Sequence, residues 1–379
     1  MLRKRSIFAL IAFATALLSG MFTPATAQEE HEAHAAEAHS AEHTAHAKEK
    51  FNAGKLILEH VSDAHEWHVM TLGSNGPHPK HISLHLPVIV YSKTKGISMF
   101  SSARFVNHET HEPQAYSGYR LEENKIVSED PNEVFYDLSI TKNVFALLIS
   151  LLVMSVVFLS VASAYRKRGN NQAPRGLQSF VEPLIVFIRD EVAKPSIGPR
   201  YERFLPFLLT VFFFIFINNL LGLIPILPGG ANVTGNIAVT MVLALMVFFI
   251  TTFSAKKDYW IHIFNTPGVP WWLKFPVPLM PIIELVGVIS KPLVLCLRLF
   301  ANITAGHIIA LAFFSLIFIF GEMSAGIGYG VSVASVAFTI FMNFLELLVA
   351  FLQAYVFTLL ASLYFGSALE EHHHEEAHH

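Results

Sequence analysis

Long apolar runs dominate the second part of the chain. Asn143 to Tyr165 is long enough to span a bilayer as one helix, and Phe204 to Ala255 contains no charged residue. The second run is interrupted by IPILPGGANVTG, which predicts two spanning helices joined by a loop. The last run, 278–366, divides at GEMSAGIGYG, and each half would be about 60 Å long as a helix, twice the ~30 Å hydrocarbon core. Helices are therefore expected at about 143–165, 204–226, 234–255, 278–320 and 327–366.

This pattern predicts an all-α polytopic membrane protein with about five membrane helices, the last two forming a long, steeply tilted antiparallel hairpin. A further helix, at about 177–193, has its apolar residues on one face, at the i, i+3, i+4, i+7 spacing. We expect this helix to lie in the cytoplasmic interface, with Pro183 as its weak point. The basic cluster Arg166-Lys167-Arg168, at the end of the first span, marks the cytoplasmic side.

The N-terminus has the pattern of a secretory signal peptide. A basic stretch, Arg3 to Arg5, precedes an apolar core, and Ala25-Thr-Ala27 is a typical cleavage site. We therefore assign 1–27 as a signal peptide, the alternative being a first transmembrane helix. Both this signal and the basic cluster place the N-terminus in the periplasm of a bacterial inner membrane and the C-terminus in the cytoplasm.

The remaining soluble parts carry no catalytic pattern. Residues 28–50 are a His-rich low-complexity segment and 367–379 a His/Glu-rich tail; weak metal binding is an alternative to a plain solvated tail for both. Residues 51–142 are expected to form a small extracytoplasmic β-rich domain, because HISLHLPVIVYSKTKGISMF predicts two β segments around the turn Lys93 to Gly96.

Composition narrows the function classes. Only 15% of the 379 residues are charged and 53% are hydrophobic, as in a membrane protein, and the net charge of −3 gives no indication of nucleic-acid binding. The single cysteine, Cys296, excludes a disulfide framework. Because no phosphate-binding glycine motif is present, no cofactor is expected, and any ATP must be bound by another chain.

Ionisable residues are rare in the last apolar run, and they follow a pattern. Between Phe275 and Leu369 the only Asp, Glu, Lys or Arg residues are Glu284, Lys291, Arg298, Glu322 and Glu346. The first three recur every seven residues and form one helical stripe, which Asn302 continues. His307, nine residues after Arg298, points the opposite way.

The hairpin geometry pairs these residues with others. If the turn lies near residue 326, Arg298 is level with Gln353, and His307 is level with Glu346. A histidine beside a carboxylate suits a proton relay, because one ring nitrogen accepts while the other donates. Ionisable groups at membrane depth are functional-site candidates by default.

These sequences resemble a known family. SKPLVLCLRLFANITAGH and ELLVAFLQAYVFTLLASLY, together with FINNLLGLIP (Phe216 to Pro225), are similar to subunit a of the F-type ATP synthase, over roughly 143–366. The resemblance implies a proton-translocating stator subunit that is not an enzyme on its own. Its implied partners are a c-subunit ring, a b-type peripheral stalk, the rest of the ATP synthase complex and membrane lipid.

The resemblance also implies roles for individual residues. Arg298 would face the carboxylate of the ring, with Asn302 and Gln353 near it, and Glu284 would stand on the cytoplasmic exit path. His307 and Glu346 would carry protons from the other side, in the exchanged order that the mitochondrial branch has. Gly222 stands where some relatives have an acid, so Asn218, Asn219 or water would have to serve that uptake path.

Two other functions stay open at this stage. An independent ion channel or secondary transporter would need a complete pathway within one chain, often built from two related halves, and the sequence shows no such repeat. A periplasmic metal-sequestering module is suggested by the 20 histidines, although half of them lie in the two low-complexity segments.

Overall fold

The computed structural model describes residues 24–25, 52–72, 80–107, 113–122, 124–168, 173–224, 230–264 and 279–370. It divides into two compact units. The first contains Val144–Gly306 and the described residues from Phe344 onwards. The second contains the described residues up to Asn143, together with His307–Asn343.

The N-terminal part of the second unit is β-rich, as expected. A four-stranded antiparallel sheet has the strand order β1-β8-β4-β5, and two separate ladders pair β2 with β3 and β6 with β7. One helix, α1 (Ala53–Val61), precedes β2. The strands are β1 Pro24–Ala25, β2 Glu66–Leu72, β3 Lys80–His85, β4 Pro87–Ser92, β5 Gly96–Ser101, β6 Tyr119–Glu122, β7 Lys125–Ser128 and β8 Phe135–Asp137.

The core of this β-rich part lies on one face of the four-stranded sheet. Burial alternates along β4, because successive side chains of a strand point to opposite faces. The buried cluster consists of Val88, Val90, Phe105, Tyr119, Ile126 and Phe135. The hairpin turn falls where the sequence predicts it, with Ser92 paired to Gly96, and the positive φ of Gly96 (74°) suits a residue without a Cβ.

The first membrane helix, α2 (Lys142–Arg168), is fastened to the β-rich part at its beginning. Asp63 accepts hydrogen bonds from the Asn143 amide (3.0 Å) and the Thr141 hydroxyl (2.8 Å). The Lys142 amide donates to the Ala64 carbonyl at 2.8 Å. Asp63 thus satisfies one of the amide donors that a helix leaves open at its N-terminus, and its charge complements the helix dipole.

Among the described residues, five helical segments are long and apolar enough to cross a membrane, which confirms the predicted fold class. The second of them runs from Leu177 to Gly222 and contains three α-helices and a π-helical segment, Ile188–Ala193. The helices after α2 are α3 Leu177–Phe187, α4 Lys194–Ile197, α5 Tyr201–Gly222, α6 Ile237–Ser254, α7 Lys257–Phe264, α8 Leu279–Met323 and α9 Ala325–Leu369.

The helices differ from the sequence expectation in three details. Helix α3 does not break at Pro183; the helical path continues through the π-helical segment to Ile197, and Gly198 then adopts a φ of 73°. Helix α5 ends at Gly222 rather than near 226, and 225–229 lie outside the described residues. The short helix α7 was not anticipated from the sequence.

Helices α8 and α9 each contain 45 residues, and α8 continues through Pro292. At ~1.5 Å per residue each is more than twice as long as a ~30 Å hydrocarbon core, so upright insertion is excluded by length. Small buried residues on α9 allow neighbouring segments to approach closely. Gly366, which is half-buried, has the same effect: a Cβ there would overlap the carbonyl oxygen of Ser196.

Aromatic contacts join α9 to α5. The ring of Phe365 packs against Phe204 and Phe207, and the ring of Phe351 packs against Phe212 and Phe216. The contacts on α9 are fourteen residues apart, so they recur on one helix face. They fix the rotation of α9, and with it the direction of its polar side chains.

Candidate functional site

Arg298 lies on a surface that the described residues leave uncovered. Its side chain is exposed, as are those of Val294, Leu297, Ala301 and Asn302 around it on α8. Within the described residues, no carboxylate forms an ion pair with Arg298. A guanidinium and an amide therefore stand among exposed apolar side chains of a membrane helix, and the described residues place no counter-charge beside the guanidinium.

Glu346 and Gln353 point the other way, into the chain. Both are buried on α9, with 8% and 6% of their surface exposed. Glu346 lies beside Gly306 of α8: a Cβ on that glycine would stand 3.4 Å from Oε1 and 3.6 Å from Cδ of the carboxyl group. The missing side chain at Gly306 leaves room for the carboxyl group between the two helices.

The contacts agree with the depth register that the sequence predicts. Helix α8 ends at Met323 and α9 begins at Ala325, so the turn is close to the expected residue 326. Gly306 is level with Glu346, and, nearer the turn, the rings of Phe313 and Phe338 lie 3.8 Å apart. At the turn, a Cβ on Gly328 would stand 2.7 Å from Cα of Gly321, a distance that only glycine permits.

His307 is half-buried on α8, directly after Gly306. Because α8 is unbroken, the nine residues between Arg298 and His307 correspond to about 900° of rotation, which places their side chains on opposite sides of the helix. The expected separation of the two groups is thus a property of the helix itself.

A cluster of polar side chains lies at the end of the hairpin that is farthest from the turn. It includes Glu284 and Lys291, which are both half-buried. The Lys291 ammonium lies over the Tyr364 ring, 5.6 Å from its centroid. The side chains of Lys291 and Tyr364 line a cavity of about 10 Å³, which is roughly the space of one water molecule. Its other polar lining residues are Thr251, Thr252 and Tyr259.

Tyr259 and Tyr364 were not identified from the sequence. Burial and, after it, the negative charge of Glu284 raise the pKa of Tyr259 above its usual value, so the two groups are close enough to interact. Tyr364 had a signal: it follows Gln353 by eleven residues, or about 1,100°, and thus shares its helix face. Tyr259 had none, because α7 is too short to show a period.

Asn218 and Asn219 are both buried on α5, but they have different contacts. The Asn218 amide donates to the Phe214 carbonyl of its own helix at 2.8 Å. The Asn219 amide donates to the Ala350 carbonyl of α9 (3.1 Å), and its carbonyl accepts from the Thr234 hydroxyl (2.6 Å). Asn219 therefore ties α5 to α9 one helical turn from Glu346.

The described residues contain no group of three or more His, Cys, Asp or Glu side chains placed to hold a metal ion. The predicted segment 28–50 and most of the tail lie outside the described residues.

The candidate site consists of an outward-facing cation, Arg298, an inward-facing carboxyl and amide on the partner helix, Glu346 and Gln353, and polar groups at two depths.

A comparison with known protein families decides the identity. The family model described as ATP synthase A chain matches residues 145–366, more than half of the chain. The chain belongs to the ATP synthase subunit a family. Subunit a is a non-catalytic membrane subunit of the proton-translocating F-type ATP synthase, and it works as part of that complex.

Individual relatives agree with this assignment. The chain is 43% identical to ATP synthase subunit a of Chloroherpeton thalassium, over 64% of this chain and 71% of the relative. It is 47% identical to ATP synthase subunit a 2 of Chlorobaculum tepidum, over 62% of this chain and 64% of the relative. It is 38% identical to the Anaeromyxobacter sp. subunit a, over 64% of this chain and 57% of the relative.

The β-rich part matches a different family. A model described as a domain of unknown function covers residues 56–144. Its match ends where the match to the subunit a family begins, at the first turn of α2. The chain therefore combines the subunit a membrane region with a domain for which the comparison provides no function.

Proposed function

We propose that this chain forms two offset half-channels beside a ring of c subunits and couples proton flow through them to ring rotation and ATP synthesis. The observation that carries the proposal is the exposed Arg298 on an apolar face of α8. A charged side chain at bilayer depth is unfavourable by at least ~2.5–3.5 kcal/mol. A carboxylate on a neighbouring subunit would offset that energy.

In this proposal Arg298 is the stator charge. A passing c subunit presents its carboxyl group, and the guanidinium favours the ionised form, so the proton is released. Asn302 lies one turn further on the same exposed face, where it can donate a hydrogen bond to the ring. Gln353, buried on α9 at the depth expected for Arg298, would orient the guanidinium from behind.

The exit path leads to the cytoplasm near Glu284. The cavity between Lys291, Tyr259 and Tyr364 supports this route, because it offers a water site one to two helical turns from Glu284. A protonated water there can transfer its proton to the Glu284 carboxylate, which then releases it to the solvent.

The uptake path runs from the periplasmic side through His307 and Glu346. The hairpin register supports their pairing, since Glu346 is level with Gly306, the residue before His307. Asn218, next to Asn219 on α5, would serve this path, while the bond from Asn219 to the Ala350 carbonyl supports holding α9 in place. Once the ring has carried the carboxylate into lipid, it must be neutral, and the relay supplies the proton.

Arg298 also separates the two paths. Protons cross only by way of the ring, because a fixed cation between the half-channels repels a proton that would pass directly. Each proton that crosses 100 mV releases ~2.3 kcal/mol, which drives the rotation step by step.

The proposed setting is a bacterial inner membrane, with a b-type peripheral stalk holding this subunit still. The N-terminus is periplasmic after removal of residues 1–27, and the C-terminus is cytoplasmic. The basic cluster Arg166-Lys167-Arg168 at the end of α2 supports this orientation. Cleavage after Ala27 would also remove β1 and leave β8 at the edge of a three-stranded sheet.

Site-specific disulfide formation tests the proposed contact with the ring. Ala301→Cys, one turn from Arg298, should cross-link to a cysteine on the outer helix of c in native membranes. Leu152→Cys on α2, which is also well exposed (64%), is the matched control and should not cross-link. The native Cys296 is fully buried and will not interfere. Cross-links from Leu152 and none from Ala301 would contradict the proposed ring contact.

A further inference from the structure

Strands β8, β4 and β5 form a sheet with two different faces: within the described residues, one face is covered by the core and the other is uncovered. Val88, Val90 and Phe135 point from β4 and β8 into the core. On the opposite face, strand alternation places six uncharged side chains side by side. We call these the outer sheet face: Ile89, Tyr91, Ile97, Met99, Tyr136 and Leu138.

Register shows that the outer sheet face is continuous across three strands. Tyr91 of β4 is paired with Ile97 of β5 on one side and with Tyr136 of β8 on the other. The two tyrosine rings stack, with centroids 6.4 Å apart. One pleat along, Ile89 is paired with Met99, and its carbonyl accepts the Leu138 amide at 2.8 Å.

These side chains are unusually exposed for their type. Ile97 is 71% exposed and Met99 69%, while Tyr91, Tyr136 and Leu138 are each between a third and a half exposed. Contiguous exposed apolar patches mark surfaces that contact another protein or a membrane. The outer sheet face, exposed among the described residues, is therefore a candidate contact surface.

Chain connectivity favours the membrane as the occupant of that surface. Strand β8 ends at Asp137 and the membrane helix α2 begins at Lys142, a span of less than about 20 Å even when fully extended. Asp63 and Ala64 shorten it further, because they bind the first residues of α2 directly. The sheet is thus held within reach of the headgroup layer, whose thickness is roughly 5–8 Å on each side of the bilayer.

The composition of the face suits an interface between water and lipid. Tyrosine rings are enriched at that depth, because the ring is apolar and the hydroxyl stays hydrated. Isoleucine, methionine and leucine supply the apolar part that enters the acyl-chain boundary. None of the six residues carries a charge that would have to be moved out of water.

We propose that the outer sheet face rests on the phospholipid surface of the membrane, with Ile97 and Met99 in contact with lipid. The β-rich part then holds the first turn of α2 at a fixed depth. This inference concerns the domain of unknown function and does not depend on the proposed proton path.

Photocross-linking in the assembled complex tests the proposal. A benzophenone amino acid is placed at Ile97 or Met99, and the complex is irradiated in its native membrane and then purified. Two positions in the same domain serve as controls: Asn132, which is exposed and polar, and Leu58 on α1, which is exposed (67%) but off the sheet. Mass spectrometry of the purified subunit distinguishes phospholipid adducts from protein adducts.

We expect phospholipid adducts at positions 97 and 99 to exceed those at both controls several-fold. Met99→Glu should lower the adduct yield at position 97, because a carboxylate is repelled from the acyl-chain boundary, whereas Lys93→Glu in the turn should not. Protein adducts at 97 and 99 would overturn the proposal and identify a subunit interface instead. Yields no higher than at Asn132 and Leu58 would overturn it as well. Co-purification with the other subunits confirms that each variant is assembled.

Discussion

Gly306 and the carboxyl group of Glu346 lie against each other across the last two helices. A Cβ atom at position 306 would lie 3.4 Å from Oε1 of Glu346. The glycine thus determines how much room the buried carboxyl group has. Glu346 belongs to the proposed relay. A substitution at Gly306 therefore disturbs the relay without replacing an ionisable residue.

Substitution of Gly306 should therefore depend strongly on size. Gly306→Ala adds one methyl group at ordinary contact distance and should leave most ATP-driven proton pumping intact. Gly306→Leu places further carbons where the carboxyl group lies and should abolish most of the pumping. Gly330→Leu on α9 is the control, because a Cβ there meets no atom within 4 Å. Pumping in inverted vesicles measures all three; equal losses for both leucine variants would show that the contact is unimportant.

The position of this contact could be predicted from the sequence, but its detail could not. A helix rises by a fixed amount per residue, so the turn near residue 326 determines which residues of α8 and α9 share a depth. The absence of a Cβ at Gly306 becomes meaningful only when α9 is seen to place Glu346 beside it. The β4–β5 hairpin could likewise be predicted, because the residues of its turn mark it locally.

Contacts between distant parts of the chain were beyond sequence reasoning. Asn219 and Ala350 are 131 positions apart, and the residues around each of them give no indication of the hydrogen bond that joins them. The eight residues of α7 give too little periodicity to predict a helix, and so Tyr259 was missed. Asp63 reads as an ordinary loop residue, although it binds the beginning of α2.

Asn219 should be more important for stability than its neighbour. Asn219→Ala removes two hydrogen bonds: the one that ties α5 to the Ala350 carbonyl of α9, and the one that the buried Thr234 hydroxyl (1% residue exposure) donates. A buried polar group without a partner destabilises a protein by about 1–3 kcal/mol. Asn218→Ala removes one bond within α5 and should have the smaller effect. The thermal denaturation midpoint of this subunit in the purified complex is the measurement, and a larger drop for Asn218→Ala would contradict the assignment.

The β-rich part should lose stability in acid because of Glu133. Its carboxylate accepts hydrogen bonds from Lys95 (2.8 Å), Tyr119 (3.0 Å) and Ser128 (2.8 Å). Hydrogen bonding, above all from Lys95, lowers the pKa of Glu133 from 4.5 to about 2. Because the folded pKa is the lower one, the stabilisation is complete above pH 4.5 and is lost as the pH falls towards 2.

Pulsed hydrogen exchange of the peptides around Tyr119 and Glu133 measures this effect. Protection should fall between pH 4.5 and about 2 in the unmodified protein. Glu133→Gln should be less protected at neutral pH and should lose less protection on acidification. Glu129→Gln is the control, since Glu129 is exposed, and it should follow the unmodified protein. An identical acid response in Glu133→Gln would assign the effect to another group.

Arg298 carries the central claim, and two substitutions separate its roles. Lysine keeps a positive charge, but it lacks the planar donor fork of the guanidinium and can lose its proton when desolvated. Arg298→Lys should therefore lose nearly all ATP-coupled pumping. Assembly should survive in both variants. Arg298→Ala removes a charge from the membrane, which favours insertion, and Arg298→Lys keeps the charge that the unmodified subunit already carries.

The most direct measurement is passive proton flux through inverted vesicles from which the catalytic head has been removed. If Arg298 keeps the two half-channels apart, the Arg298→Ala vesicles should leak protons without ring rotation, and the vesicles with the head attached should not pump. Matched subunit content, checked by immunoblotting, excludes loss of assembly as the cause. Normal ATP-driven pumping by Arg298→Ala, with no leak after removal of the head, would contradict the account.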